Sequence, residues 1–151
     1  ITNIPAGEIF MAPIEDSVNG EFYTKIPQVT ERGTMESVHI VFENGRVVEA
    51  TSTKGEEALY YYTGLTKAET ETKKAVHEAQ NTIAELGIGM NPVLDFEKAT
   101  GNPLIDEKMK GIHIATGTNK RMGGNTPGEI GGIGVEHWDY IVGKIDQIVV
   151  I

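Results

Sequence analysis

The sequence predicts an α+β domain, in which a mixed β-sheet with hairpins is accompanied by a few short helices. Two runs of alternating apolar residues between Met35 and Thr53 flank the dipeptide Asn44-Gly45. That dipeptide is a strong hairpin signal, because a type I′ turn needs positive φ at both central residues. Apolar residues at helical spacing in the segment 75–83 indicate an amphipathic helix, and Gly134–Gly143 is typical of an extended strand.

The composition is that of one ordinary globular domain. With 151 residues, residues 1–151 are expected to form a single domain with a substantial core. The net charge of −9 argues against nucleic acid as a partner. Because there is no cysteine, any bound metal must use His, Asp and Glu. No apolar run suggests a membrane span and no signal peptide opens the chain, so the cytoplasm is the expected location.

The first predicted strands lie close to the start of the chain. The chain opens on Ile1 rather than Met and already within a predicted strand, so we expect a piece of a longer protein. The apolar segment Ile4–Pro13 carries Glu8 at a point where the backbone can bend sharply. A solvent-facing glutamate on an edge strand is the alternative interpretation of that residue. Gly20–Pro27 predicts a second strand.

Three short helices are predicted. The first covers Gly55–Thr63, and the second starts at Thr66, where Glu69 three residues later would complete a capping box. The third covers Pro103–Gly111 and would end at its glycine cap.

The remaining segments are extended or irregular. Glu85–Pro92 contains two glycines and a proline, which favours a strand or extended loop whose backbone packs closely against a neighbour. Ile112–Thr116 predicts a brief strand, and Gly117–Gly132, with six glycines, predicts a long flexible loop. This loop lacks the order of a phosphate-binding loop, so a mobile loop bordering a site is the better interpretation. Lys144–Ile151 would be a final hairpin arm.

The strand Gly134–Gly143 carries the first candidate site residues. Successive side chains of a strand point to opposite faces, so His137 and Asp139 share one face while Trp138 and Tyr140 share the other. A neutral imidazole beside a carboxylate forms half of a binding site for a zinc-, manganese- or cobalt-type ion. A simple surface hydrogen bond between the two side chains is the alternative.

The other half of such a site must come from elsewhere in the chain. Three stretches offer acidic or imidazole side chains, namely Glu8, the stretch that begins with Glu85, and Asp106-Glu107 with His113.

Read together, these segments resemble the aminopeptidase T/aminopeptidase S family of metallo-aminopeptidases over nearly the whole chain. The motifs are individually short, and their order gives the resemblance its specificity. They are 3–10 (NIPAGEIF), 42–50 (FENGRVVEA) followed by 54–56 (KGE), Glu85, Asp106-Glu107 followed by 113–117 (HIATG), and 137–139 (HWD). Complete proteins of that family carry a further N-terminal region, so the resemblance implies that this chain corresponds to the metal-binding C-terminal part.

The resemblance implies a metal-dependent aminopeptidase that removes N-terminal residues from peptide substrates. It implies two divalent ions (Zn, Co or Mn) that share a hydroxide nucleophile and polarise the scissile carbonyl. It also implies a homodimer for the full-length protein. Glu107 would be a further ligand or the general base. The implied metal ligands, one of whose carboxylates would bridge the ions, are Glu8, Glu85, His113, His137 and Asp139.

One position departs from the family pattern. The family places a catalytic tyrosine seven residues after the position of His113, where this chain has Lys120. A lysine could act there as a cation on the tetrahedral intermediate. The departure keeps a second hypothesis open, which is a non-catalytic metal-binding or assembly module derived from the same family.

Overall fold

A computed structural model describes residues 5–143 of the chain, so the arm predicted over Lys144–Ile151 lies outside the described residues. Within them, no helix is long and apolar enough to cross a membrane. In chain order the elements are β1 (Glu8–Met11), β2 (Gly20–Thr24), β3 (Gln28–Thr30), β4 (Gly33–Met35), β5 (Val38–Glu43), β6 (Arg46–Thr51), α1 (Glu56–Tyr62), α2 (Glu71–Gln80), β7 (Ile83–Gly89), α3 (Pro103–Asp106), β8 (Gly111–Gly117), β9 (Glu129–Ile130), β10 (Ile133–Gly134) and β11 (His137–Gly143).

The strands form two main antiparallel sheets. The first has four strands in the order β1-β7-β8-β11, and the second has three in the order β2-β5-β6. Two small hairpins, β3-β4 and β9-β10, and the three helices complete the described part of the chain. The α+β fold predicted from the sequence is therefore confirmed.

The predicted hairpin is formed by β5 and β6. Both turn residues adopt positive φ, 49° at Asn44 and 71° at Gly45, as a type I′ turn requires. Along β5, Val38 and Ile40 are fully buried. The alternation of apolar residues in this segment thus corresponds to a strand with one buried face, as the sequence predicts.

The main core lies between the two sheets and α1. Tyr140 of β11 is fully buried, and its ring centroid lies 5.9 Å from that of Phe22 in β2. On the same face of β11, the Trp138 ring lies 4.2 Å from the ring of Tyr62 in α1. One face of β11 is therefore part of the core, which leaves the opposite face, with His137 and Asp139, free to form a site.

The second helix starts later than predicted. The capping box expected from Thr66 and Glu69 is wrong, because α2 begins at Glu71 with Thr70 as its N-cap. The Thr70 side chain accepts a hydrogen bond from the Lys73 amide at 3.2 Å, and Glu69 instead forms a 3.0 Å ion pair with the Lys73 ammonium. The sequence offers two threonines as caps, and the extended backbone of Thr70 selects the second.

Two further boundaries differ from the prediction. The third helix ends at Asp106, and Gly111 is not its cap but the first residue of β8. A side chain at Gly111 would collide with the backbone of Gly143, so this glycine serves close strand packing. The strand predicted over Gly134–Gly143 begins only at His137, because Gly134 pairs with Glu129 in a separate hairpin.

The glycine-rich loop 117–132 is held in place by one carboxylate. Glu15, which precedes β2, accepts hydrogen bonds from the Asn119 and Asn125 side chains, both at 2.9 Å, and from the backbone of Asn125 and Thr126. Burial raises the pKa of Glu15, but these hydrogen bonds outweigh it and hold the pKa below its ordinary value. The loop is therefore attached to the body of the domain at Asn119, Asn125 and Thr126.

We predict that Glu15→Gln loosens this loop without unfolding the domain. A neutral amide accepts weaker hydrogen bonds than a carboxylate and offers only one acceptor oxygen, which costs about 1–2 kcal/mol. Amide hydrogen exchange in residues 117–132 should accelerate about tenfold in the variant. Asp16→Asn is the matched control, because it removes the same charge from an exposed neighbour. Equal exchange in both variants would contradict the attachment.

The attachment should also depend on pH. The folded pKa of Glu15 lies below its ordinary value, so its stabilising contribution is complete above that value and is lost as the pH falls through the folded pKa. The wild-type loop should thus loosen more than the Glu15→Gln loop on acidification from about pH 5 to about pH 3, as measured by limited proteolysis with an acid-active protease.

Candidate metal centre

The four-stranded sheet brings five candidate ligand positions to the same face, two from β11 and one from each of the other strands. Glu8 lies on β1, Glu85 on β7, His113 on β8, and His137 with Asp139 on β11. The order β1-β7-β8-β11 places these strands side by side. Residues distant in sequence thus become neighbours through strand pairing alone.

The strand register explains why these side chains share a face. Glu85 and Asp139 both pair with Ala115, and residues directly opposite one another in a sheet point to the same side. Two positions along β8, His113 pairs with Gly87, so its imidazole points to the same face. The small side chain of Ala115 separates the two acids without filling the space between them.

A glycine makes room for the buried imidazole. A Cβ atom built on Gly87 would collide with the ring of His113, so any side chain there would push the ring away. Glu85 and Gly87 are two residues apart on β7, so they lie on the same face of the strand. The acid and the space left by the missing side chain of Gly87 are therefore neighbours. The close backbone packing expected from the glycines of this stretch is confirmed.

The imidazole and carboxyl groups form a continuous cluster. The Nε2 atom of His113 lies 3.0 Å from Glu85 Oε1 and 3.6 Å from Glu8 Oε2. The Nε2 atom of His137 lies 3.2 Å from Glu85 Oε2 and 3.5 Å from Asp139 Oδ1. His113 is fully buried, and Glu85 and Asp139 are 5% and 6% exposed. Five predicted site residues thus converge in one cluster, in which four side chains are almost fully buried and the His137 side chain is 26% exposed.

Interactions outside the cluster orient His137. Its Nδ1 atom donates a hydrogen bond to the Thr118 carbonyl at 2.7 Å, which directs Nε2 toward the acids. An outward hydrogen bond of this kind is typical of metal-binding histidines. Burial lowers the pKa of His137, but its hydrogen bonds to Asp139 and Glu85 outweigh burial and raise the pKa to about 10. A pKa of this value corresponds to a protonated imidazole at neutral pH.

Two acids of the cluster, Glu85 and Asp139, are held in the ionised form. Burial raises the pKa of Glu85, yet hydrogen bonds from His113 and His137 bring it below the ordinary value. The pKa of Asp139 is likewise raised by burial and lowered more strongly by His137, with a smaller effect from Lys108. Carboxylates that stay ionised in a buried position are suitable ligands for a divalent cation.

The donor atoms fit metal ions. Within residues 5–143, two groups have ligand atoms that all lie within 4.8 Å of one another, and both include His113. Carboxylate and imidazole donors suit zinc, manganese or cobalt, which are divalent ions of borderline to hard character. The two groups are Glu8–Glu107–His113, and Glu85–His113–Asp139.

The adjacent acids Asp106 and Glu107 have different environments. The Asp106 carboxylate accepts hydrogen bonds from the Thr100 amide at 3.0 Å and the Gly101 amide at 2.8 Å, which fixes the loop before α3. Glu107 instead belongs to one of the metal-binding groups. Of this pair, Asp106 thus stabilises the local structure and Glu107 faces the site.

One residue of the cluster was not anticipated from the sequence. Lys108 is 2% exposed, and its Nζ atom lies 2.9 Å from Glu8 Oε1 and also contacts Glu107 Oε1. Lysine is almost never fully buried unless it is paired, so no sequence pattern marked this one. Its position directly after Glu107 is the only available signal.

Lys120 lies on the loop after β8. It begins a short 3₁₀ turn, Lys120–Met122, and its side chain is exposed. It belongs to neither metal-binding group identified in residues 5–143.

A cavity of about 690 Å³ opens beside the cluster at His137 and Asp139. Its walls combine the apolar side chains of Val29 and Leu104 with the acidic side chain of Glu136. The cavity gives small molecules access to the face of β11 that carries His137 and Asp139.

The sequence matches one protein family over almost its full length. The profile of this family, described as thermophilic metalloprotease (M29), covers residues 1–149. No curated protein matches the chain.

Two solved structures share the fold. Wild-type AmpT from Thermus thermophilus is similar with a TM-score of 0.66 and 24% identity, over 93% of this chain and 34% of that one. The 2,5-dihydroxypyridine dioxygenase from Pseudomonas putida KT2440 is similar with a TM-score of 0.58 and 19% identity, over 80% of this chain and 35% of that one. The chain thus spans about a third of the length of both proteins.

We predict that Gly87→Ala weakens metal binding although it changes no ligand. The added methyl group displaces the His113 imidazole, and displaced or misoriented ligands typically lose about 10- to 100-fold in metal affinity. Isothermal titration of the full-length protein with Zn²⁺ or Co²⁺ measures the change. Gly134→Ala is the matched control, because a Cβ atom there meets no neighbour within 4 Å. Equal affinities of the two variants would show that the Gly87 gap does not serve the site.

Proposed function

We propose, because the chain belongs to the thermophilic metalloprotease (M29) family, that it forms the catalytic metal-binding part of an aminopeptidase. Membership of that family supports a peptidase function in general, and the removal of N-terminal residues from peptides is our specific proposal. The main supporting observation is the convergence of Glu8, Glu85, His113, His137 and Asp139 from four adjacent strands.

The proposed centre holds two divalent ions, with zinc, cobalt or manganese as candidates. We assign the five converging residues as ligands. His113 is common to both groups, His137 lies outside these groups but beside Glu85 and Asp139, and one carboxylate would bridge the ions. Bound divalent ions lower the pKa of water enough to supply a nucleophile at neutral pH, and they polarise a carbonyl oxygen.

Glu107 is our candidate for a further ligand of the ions or for proton transfer. Peptide hydrolysis requires a group that takes a proton from the attacking water and a group that gives one to the departing amine nitrogen. Glu107 is buried beside Glu8 and His113 but comes from the turn after α3 rather than from the sheet. A carboxylate in that position can serve both transfers in turn, while the sheet residues keep the reacting groups in place.

We place the substrate in the cavity beside His137 and Asp139. Its volume of about 690 Å³ is in the range of small-ligand sites. The ammonium group of a peptide N-terminus would be attracted by the acidic wall at Glu136, and apolar substrate groups can contact Val29 and Leu104. The homodimer and the cytoplasmic location expected from the sequence remain predictions.

Lys120 is proposed to assist as a positive charge. The tetrahedral intermediate of hydrolysis carries a negative oxygen, which a nearby cation stabilises. Its exposed position on the loop also suits an ordinary solvated lysine, and this observation favours the alternative function, a non-catalytic metal-binding or assembly module.

The central test is metal-dependent turnover by the full-length protein. We expect it to hydrolyse aminoacyl-chromogenic substrates after loading with Zn²⁺, Co²⁺ or Mn²⁺. His137→Ala should lower kcat/KM by at least about a hundredfold, because bound metal ions stabilise the charge of the transition state by several kcal/mol. His39→Ala is the matched control, since His39 pairs with Glu21 at 2.7 Å outside the cluster. Metal binding without any turnover would contradict the aminopeptidase proposal and favour the non-catalytic binding module.

Lys120 has its own test. Lys120→Ala should lower kcat by about 10²-fold with little change in KM, because loss of one oxyanion stabiliser has that magnitude. Metal content should not change, and Lys120→Tyr should retain or increase activity. Arg121→Ala serves as the control, because it removes an adjacent exposed cation. Equal activity of the Lys120→Ala and Arg121→Ala variants would show that Lys120 is only a solvated charge.

A further inference from the structure

Among residues 5–143, Lys108 is the one lysine or arginine whose side chain contacts the acids of the cluster. Its side chain is 3% exposed, and it contacts the carboxylates of Glu8 and Glu107. These acids are two of the three members of one metal-binding group, which we call the Lys108 half of the centre. The other group, the Glu85 half, has Glu85 and Asp139 with the shared His113.

The two halves differ in how their negative charge is balanced. In the Glu85 half, His137 pairs with Glu85 at 3.2 Å and with Asp139 at 3.5 Å. The Nε2 atom of an imidazole is a nitrogen of the kind that ligates divalent ions, so this balancing group is itself a candidate ligand. In the Lys108 half the balancing group is an ammonium, which donates hydrogen bonds and offers no acceptor atom. A metal ion can therefore bind the His137 imidazole, whereas it must displace the Lys108 ammonium.

We propose that the Lys108 ammonium is a resident cation of the Lys108 half, so that the two halves bind divalent ions in sequence. The Glu85 half binds the first ion. The Lys108 half binds the second ion only when the ammonium has moved away from the Glu8 and Glu107 oxygens. Lys108 thereby sets the metal concentration at which the centre becomes dinuclear. This inference rests on the proposed metal centre and concerns its regulation.

The physical reason is competition for the same oxygen atoms. An ammonium and a divalent ion repel each other strongly in a site of low dielectric constant, so both cannot be held by the same carboxylates at little cost. Because the Lys108 side chain is almost fully enclosed, its displacement also breaks two charged contacts that water does not readily replace.

The test is the stepwise metal affinity of the full-length protein. The metal-free wild type, titrated calorimetrically with Zn²⁺ or Co²⁺ alone, should bind two ions with affinities at least tenfold apart. Lys108→Met keeps much of the side-chain volume and removes the charge. It should tighten the weaker step about 10- to 100-fold, the effect of one charged hydrogen bond, and leave the tighter step nearly unchanged. Lys110→Met, two residues away and exposed, is the matched control and should behave as wild type.

A weaker or unchanged second step in Lys108→Met would overturn the proposal, since Lys108 would then position the carboxylates rather than compete for them. A structural measurement covers the case in which that variant does not fold. With one equivalent of Zn²⁺, crystals of the wild type should show the ion in the Glu85 half and Lys108 still on Glu8. An ion bound between Glu8 and Glu107 at that stoichiometry would be inconsistent with sequential filling.

The outcomes separate this inference from the proposed function. If the wild type binds no divalent metal, both fail. If it binds two ions in well-separated steps that respond to Lys108→Met but hydrolyses no peptide, the inference stands and the aminopeptidase proposal fails.

Discussion

The balance of charge in one buried cluster is the constraint on which the rest of the structure depends. Among residues 5–143, four carboxylates meet two imidazoles and one ammonium, and every one of these side chains except His137 is almost fully buried. Buried charges of this density are costly unless each is paired, so the positions of His137 and Lys108 are as necessary as those of the acids. The set of ligands is therefore already assembled in the metal-free chain, and the burial of their charges lowers the stability of that chain.

The surrounding fold keeps that cluster in place through its backbone. The buried Gln80 side chain of α2 donates to the Tyr62 carbonyl at 3.0 Å and accepts from the Glu136 amide at 2.7 Å, which fixes the start of β11 next to α1. Thr116 of β8 donates to the same Tyr62 carbonyl at 2.8 Å. Rigid strands thus carry the ligands and a polar network aligns the strands, a combination that gives more precise sites than loops do.

The fold alone does not define the chemistry. Both an AmpT protein and a dioxygenase share this architecture with the chain, so function must be argued from the side chains on the sheet. Here the donor set is rich in carboxylates and offers two overlapping groups of ligand atoms. That feature supports metal-assisted hydrolysis, and the presence of Lys108 within it indicates that the two groups are not equivalent.

The sequence by itself determined the local features. The Asn44-Gly45 turn, the alternation along β11 and the glycine gap in β7 follow from backbone sterics and side-chain periodicity, which act over a few residues. The sequence also supplied the candidate ligands, partly through family resemblance. It gave the wrong helix start at Thr66, because two nearby threonines satisfy the same local rule.

Only the tertiary structure decided which of these groups meet. Strand register and burial bring Glu8 within reach of His113, although 105 residues separate them in the chain. The same packing turns Asp106 toward its own loop and encloses Lys108 among the acids. Local patterns carry no information on such contacts, since pairing across a sheet and exclusion of water depend on the whole fold.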